Sequence, residues 1–541
     1  MAIPNRDLNA PPVPALLLTS STSLLCASSF DEKDWLKMTQ ELVAKEKLDA
    51  KDMSWAAYRA SQGSLTSYEP AIITLLPMFV ENAHSLAMIA HSMRVIKAAV
   101  QHVNPEQTPV IALDQPLFAL AKQIQWAIPE FSEQNIVVML GGLQIEIASF
   151  KMLGKWVAGS GWSDVMCNAG VATQGIADSF LTASHVTRTR RAHQVTAASL
   201  HILMNTAYEA YKVNQQGEEQ GSLLSLEHWK EAMKKKSPNF LYWDFVLKLE
   251  LICLRLVRSF REANFPLYIN ALQELIPWMF AMDHPNYARW LSVHYRDMRV
   301  LSQTQPDVFK HFNDGSFVVH KTIRAFFSIA LDHAHEQINV IIKGEGGAVG
   351  LTENPAALRR WMVAGPELAR MVQEFEETSS QTEEHSHHEQ KSAVQLTFFK
   401  DVVNTVSYFE QLGNPFQDEG DSLMAVHTKD IIDDAVLHTI QNAREIGEKQ
   451  FQLIVKERFV YRTKPVTEPL KKNNLPTFNN PCKKMISKDK ARVQVLKEDC
   501  SLFSRLYIAS QTRDGNLEEF FEYEDQPWPP SLSELGQLRG G

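Results

Sequence analysis

Two short apolar runs, each followed at once by an amphipathic helical pattern, constrain this chain more than any other feature. Pro109-Val110-Ile111-Ala112-Leu113-Asp114 closes on an acid and passes through Gln115-Pro116 into helical periodicity over 117–126. A run this short reads as a buried strand, with Pro placed to open the next helix. Ile136-Val137-Val138-Met139-Leu140 repeats the plan. Gly141-Gly142 makes the turn, and a helix over 143–157 carries Gln144 and Glu146 in its first turn. Two strand-to-helix units in succession predict a parallel pair, whose ligand sites lie beyond the carboxyl ends of the strands. Asp114 and Glu146 are therefore expected on one rim.

A second stretch concentrates polar chemistry. Residues 328–361 read SIALDHAHEQINVIIKGEGGAVGLTENPAALRRW, which puts Asp332 and Glu336 four apart ahead of a Gly-rich turn. Side chains at that spacing share a helix face. Phosphodiester cleavage or strand transfer by bound Mg²⁺ or Mn²⁺ needs several carboxylates converging on the cation. Asp114, Asp332 and Glu336 are the expected metal ligands, with Glu146 as a further catalytic candidate. The same spacing fits a structural reading in which Asp332 caps a helix and Glu336 forms a salt bridge. His333 and His335 are not four apart, so a zincin-like HExxH pair is excluded, while His335 and Asp332 leave a mixed ligand set open. The glycines after Lys343 predict a helix end.

Basic residues give candidate contacts to a nucleic-acid backbone: Arg188, Arg190 and Arg191 within TASHVTRTRRAH, then Lys343, Arg359 and Arg360. The three clustered arginines cannot share one helix face, so a solvated basic segment competes with that reading. Arg255, Arg258 and Arg261 form a stripe on an otherwise apolar helix. Gly141-Gly142 follows a strand as phosphate-binding turns do, yet matches neither the Walker nor the dinucleotide fingerprint.

At 541 residues the chain exceeds one compact core. The expected order is a disordered leader over 1–50, a helical lead-in and first part of an α/β core over 51–157, and a helical insertion over 158–315. A second part of the core over 316–375 follows, then a polar linker over 376–394, a helical segment over 395–460, and a basic linker with a small apolar patch over 461–541. Residues 456–497 carry twelve Lys/Arg against three Asp/Glu, consistent with nuclear targeting or nonspecific nucleic-acid contact. A net charge of −9 argues against an obligate nucleic-acid coat. The five cysteines are scattered, with no CxxC pair, as in a reducing compartment. No apolar run reaches the ~20 residues of a membrane span, so a nuclear or cytoplasmic location and no membrane partner are expected.

The blocks LDQPLFALAKQIQW, VVMLGGLQIEIASFKMLGKWVAGSGW, HVTRTRRAHQVTA and DHAHEQ, followed by GGAVGLTENPAALRRWMVAGPE, resemble large uncharacterised proteins of marine invertebrates that are associated with mobile elements. The resemblance spans roughly residues 55–375 and a tail block, DCSLFSRLYIASQTRDGNLEEFF. Their order distantly resembles hAT-like transposases, with an RNase H-like core interrupted by a long helical insertion. That likeness implies a helix-dominated α/β fold, a DNA partner, a possible homo-oligomer, and a metal site in which Asp114 and Glu336 take the places of the acids. Gln144 stands where the pattern has His, and no earlier strand carries a first acid. A non-catalytic helical interaction scaffold of mobile-element descent is the alternative reading.

Overall fold

The computed structural model describes residues 10–14, 18, 31–46, 52–63, 71, 76, 83–216, 223–321, 326–343, 356, 359–360, 363–364, 388–418 and 420–479. The chain divides into two units, Met1–Pro481 and Cys482–Gly541. The second lies outside the described residues, as does much of the helical pattern read before residue 83, and the elements named below belong to the first.

Three helices lead in: α1 (Lys33–Ala44), α2 (Trp55–Gln62) and α3 (Leu86–Val103). Then comes the α/β unit, in the order β1 (Val110–Leu113), α4 (Gln115–Ala127), β2 (Val137–Leu140) and α5 (Gly142–Val157). The strands pair in parallel with Val110 opposite Val137 and Leu113 opposite Leu140. All four residues of β2 are buried, as a strand packed on both faces requires.

A long helical series follows: α6 (Trp162–Asn168), α7 (Gln174–Phe180), α8 (Val186–Gln216), α9 (Leu226–Lys236), α10 (Pro238–Arg261), α11 (Phe265–Ala281), α12 (Pro285–Thr304) and α13 (Pro306–Asn313). After it come α14 (Leu331–Lys343), α15 (Ser392–Leu412) and α16 (Asp434–Ile454), the last running into one π-turn at Val455–Val460. Pro opens α10, α11, α12 and α13, where its missing N–H costs nothing. Among the described residues, helix makes up 69% and strand 3%. The fold is therefore helix-dominated with a small parallel α/β unit, and β1 and β2 are the only named strands among the described residues. Outside this pair, the short apolar run Phe317-Val318-Val319 contributes only a single antiparallel bridge between Val319 and Ile329.

α10 is apolar nearly all round and forms the centre of the first unit, packed by α5, α8, α9, α11 and α16. The segment expected as an insertion is thus continuous with the core of the α/β unit. α11 and α16 approach so closely that a Cβ on Gly447 would come within 1.9 Å of the Pro277 carbonyl. Only a residue without a side chain fits there.

Two expectations at the chain ends change. Ala10, Val13 and Leu18 of the leader are buried, and the Val13 amide donates to the Phe459 carbonyl at 3.1 Å. Residues 461–479, expected as part of a basic linker, are fixed onto the helices. Asp283 accepts the amides of Asn473 and Asn474 at 2.6 and 2.7 Å, Arg289 donates to the Thr467 carbonyl, and Phe478 packs against Tyr242. Charge counting missed Val466 and Phe478, the buried apolar residues that anchor this segment.

Candidate functional site

The carboxyl ends of β1 and β2 open between α4, α5, α12 and α14, where the sequence places its carboxylates. Asp114 follows β1 directly. Its Oδ1 accepts the Leu117 amide at 3.1 Å, capping α4, and the residue is exposed. This cap supplies the first turn of α4 with the acceptor its unpaired amides need.

At the end of β2 the cap comes from far away in sequence. α5 begins at the Gly-Gly turn without a side-chain cap of its own. Asp332, at the start of α14, fills that role: Oδ1 accepts the Leu143 amide at 2.9 Å and Oδ2 the Gln144 amide at 3.1 Å. The helix N-terminus favours an anion at this place. The glycines make room for it. A Cβ on Gly141 would lie 2.3 Å from Asp332 Oδ2, and one on Gly142 would lie 2.6 Å from Phe260 Cζ and 2.7 Å from the Ala330 Cβ. Burial raises the pKa of Asp332, and the amides of Leu143 and Gln144 oppose that rise.

Two tyrosines and a histidine surround this turn. Burial, then the charges of Asp114 and Asp332, pushes Tyr287 up to about 12, so both carboxylates bear on one phenol. His294 is fully buried. Its Nδ1 accepts the Leu140 amide at 3.4 Å, which leaves Nε2 to carry the proton and donate to Tyr268 Oη at 2.6 Å. Burial, then Lys122, holds the His294 pKa down to about 3. Tyr268 and Tyr287 carry no signal in the sequence, since each sits within ordinary helical apolar periodicity.

Glu146, one turn into α5, is buried, and its Oε1 accepts from Arg190 Nε at 3.0 Å and Nη2 at 2.6 Å. Arg190 is thereby turned into the protein, away from the nucleic-acid contact expected of it. Arg191 pairs with Asp401 at 2.9 Å and lies over the Phe398 ring. Arg188, Arg359, Arg360 and Glu336 are exposed. Lys343 is the last residue of α14. Asp332 and Glu336 occupy the same helix, as expected, but Asp332 serves α5 while Glu336 remains at the surface. Among the described residues, no group of three or more His, Cys, Asp or Glu side chains converges in the manner of a metal site. As the Mg²⁺ or Mn²⁺ ligand set expected from the sequence, these residues fit poorly, because both oxygens of Asp332 already face backbone amides.

A second charge cluster lies at the other end of β2. Lys122 pairs with Asp297 at 2.8 Å, and Arg296 pairs with both Glu133 and Asp297 at 2.6 Å. Burial alone would raise the Glu133 pKa, but Lys122 and Arg296 bring it down to about 2. A cavity of about 300 Å³ beside Trp243 and Lys429 has none of the candidate carboxylates in its wall, and the amides of Asn239 and Asn414 there are already hydrogen-bonded within the protein.

The arrangement defines a helix-dominated protein built around a parallel strand pair whose second turn is closed by a carboxylate from a distant helix. A family model described as a domain of unknown function, DUF8702, matches residues 54–524, and the chain belongs to that family. No curated protein and no solved structure matches it.

Proposed function

We propose that the protein is a non-catalytic helical interaction scaffold, of the mobile-element descent that its sequence blocks resemble. The observation that carries this reading is the use made of the acids. Asp332 closes α5, Asp114 closes α4 and Glu146 neutralises Arg190, so each performs a structural task with a named partner. The helices stacked on α10 then serve as a rigid support for surfaces turned outward.

A second reading keeps metal-dependent phosphodiester chemistry on an RNase H-like core, with Asp114, Asp332 and Glu336 toward Mg²⁺ or Mn²⁺ and DNA as partner. It is favoured by one relation: Asp114 and Asp332 both act on Tyr287, which puts them on a common rim. The test is cleavage or strand transfer on a DNA end with added Mg²⁺ or Mn²⁺, comparing the full chain with Asp114→Ala and Glu336→Ala. The scaffold reading expects the same background in all three. Activity in the parent chain that either substitution abolishes overturns it.

A further inference from the structure

The cavity of about 300 Å³ beside Trp243 is walled by three separate segments: the start of α10, the turn 413–418 after α15, and the loop 424–429 before α16. Two buried asparagines hold these segments in place. Asn239 accepts the Met424 amide at 2.9 Å and donates to the Ser422 carbonyl at 3.1 Å. Asn414 donates to the Leu203 carbonyl and accepts the Phe416 amide, both at 2.9 Å. Trp243 is set by edge-on contacts with Tyr242 and Phe409, the ring centroids 5.3 Å apart in each. The space is thus preformed, as ligand pockets generally are. At about 30 Å³ of liquid volume per water it matches about ten waters, or one small ring with a short polar end.

Its lining divides in two. Trp243, Pro415, Met424 and Val426 form an apolar wall. Beside it stand three polar groups with capacity to spare. Trp243 is 1% exposed, yet its indole N–H makes no hydrogen bond among the described residues and is not one of the nitrogens shut off from open space. That donor therefore opens on the cavity. Lys429 is exposed, and its ammonium has no ion pair or hydrogen bond among the described residues. Its Nζ lies 3.5 Å from where a Cβ on Gly413 would stand, so it reaches across to the turn. Asp418 accepts the Asn239 side-chain amide on one oxygen and the Gly420 backbone amide on the other at 2.8 Å, which leaves a lone pair on each. A cation and a carboxylate thus border one cavity without pairing to each other.

We propose that this cavity binds a small zwitterion with an apolar body, the chemistry of a free apolar α-amino acid. The ligand carboxylate takes the Lys429 ammonium and the Trp243 N–H, one charge-assisted bond and one neutral. The ligand ammonium takes the spare lone pairs of Asp418, and the side chain lies on the wall of Trp243, Pro415, Met424 and Val426. An anion without the ammonium would face Asp418 unmatched, and an amine without the carboxylate would face Lys429. The inference stands apart from both readings above, since none of the acids they use borders the cavity.

The experiment is isothermal titration calorimetry on the full chain. The probes are L-phenylalanine and L-leucine, with hydrocinnamate, which lacks the ammonium, and phenethylamine, which lacks the carboxylate, as separate arms. The parent chain is compared with Lys429→Asn and, as a control, the exposed Arg359→Gln. Binding of at least one amino acid is expected, with hydrocinnamate and phenethylamine weaker by about tenfold or more. Lys429→Asn should weaken the amino acid by about tenfold or more, and Arg359→Gln should leave it unchanged. Thermal melting without ligand separates binding from structure. Lys429 has a φ of 59°, a region that asparagine enters more readily than lysine, so Lys429→Asn should melt at the parent temperature or above. No binding of either amino acid, equal binding of hydrocinnamate or phenethylamine, equal binding by Lys429→Asn, or a lower melting temperature for that variant overturns the proposal.

Discussion

The carboxylate of Asp332 accepts the backbone amide of Leu143 at 2.9 Å, across 189 positions of sequence. A side chain from α14 therefore completes a helix that its own turn cannot cap. Asp332→Ala should cost about 1–2 kcal/mol, the range for losing an N-cap acceptor. Asp332→Asn should cost less than Ala, because it keeps an acceptor oxygen without a charge that burial disfavours. Urea denaturation of the two variants tests the order.

Gly141 is tied to the same contact. Its φ of −57° suits any residue, so the demand for glycine comes from the 2.3 Å approach of Asp332 and not from the backbone. Gly141→Ala should cost about 1–3 kcal/mol. In an Asp332→Ala background the penalty should largely vanish, since the clashing oxygen is gone; full additivity would show that the contact is not what excludes the methyl group.

The Glu146–Arg190 pair gives a third prediction. Both side chains are nearly buried, so Glu146→Ala leaves a sheltered guanidinium without its carboxylate and should cost about 3–5 kcal/mol. Replacing both, by Glu146→Leu with Arg190→Met, should recover most of that loss. A double-substituted chain no more stable than Glu146→Ala would contradict this account.

Acid should destabilise the protein before its carboxylates titrate. Burial lowers His201, His284 and His333 to about 4 and His294 to about 3. The unfolded chain takes up protons at these sites near pH 6.5, while the folded chain does not until pH 3–4. Their contribution is thus present above pH 6.5 and lost as pH falls toward 4, by at most about 1.4 kcal/mol per pH unit for each group. The raised pKa of Asp332 and of Glu250 acts in the opposite sense, favouring the folded state at low pH until the pH rises through the folded values. Denaturation midpoints from pH 7 to 4 should fall steadily, and His294→Gln should flatten the slope.

The α/β unit was legible because local rules govern it. The runs 110–113 and 137–140 are apolar without interruption and are bounded by Pro, Asp and Gly, so strand, turn and helix follow from neighbours in sequence. The site was only half legible. Spacing singled out Asp332 and joined it to Glu336, yet its structural partners are amides on α5, and no periodicity encodes a contact between separate elements. Arg190 was visible as one of three arginines, but not Glu146 as its partner. Tyr268 was invisible, because a buried polar side chain on an apolar helix follows the same period as the core around it.

The Asp332 cap also sets an order of events. Until residue 332 is available, the first turn of α5 presents open amides, although β1, α4 and β2 are already present in the chain. Closing so long a loop is slow compared with forming local helices. The strand pair and its turn should therefore gain full protection from hydrogen exchange only late in folding, after α14 docks, and a folding intermediate with formed helices and an unprotected Leu143 amide is the species to look for.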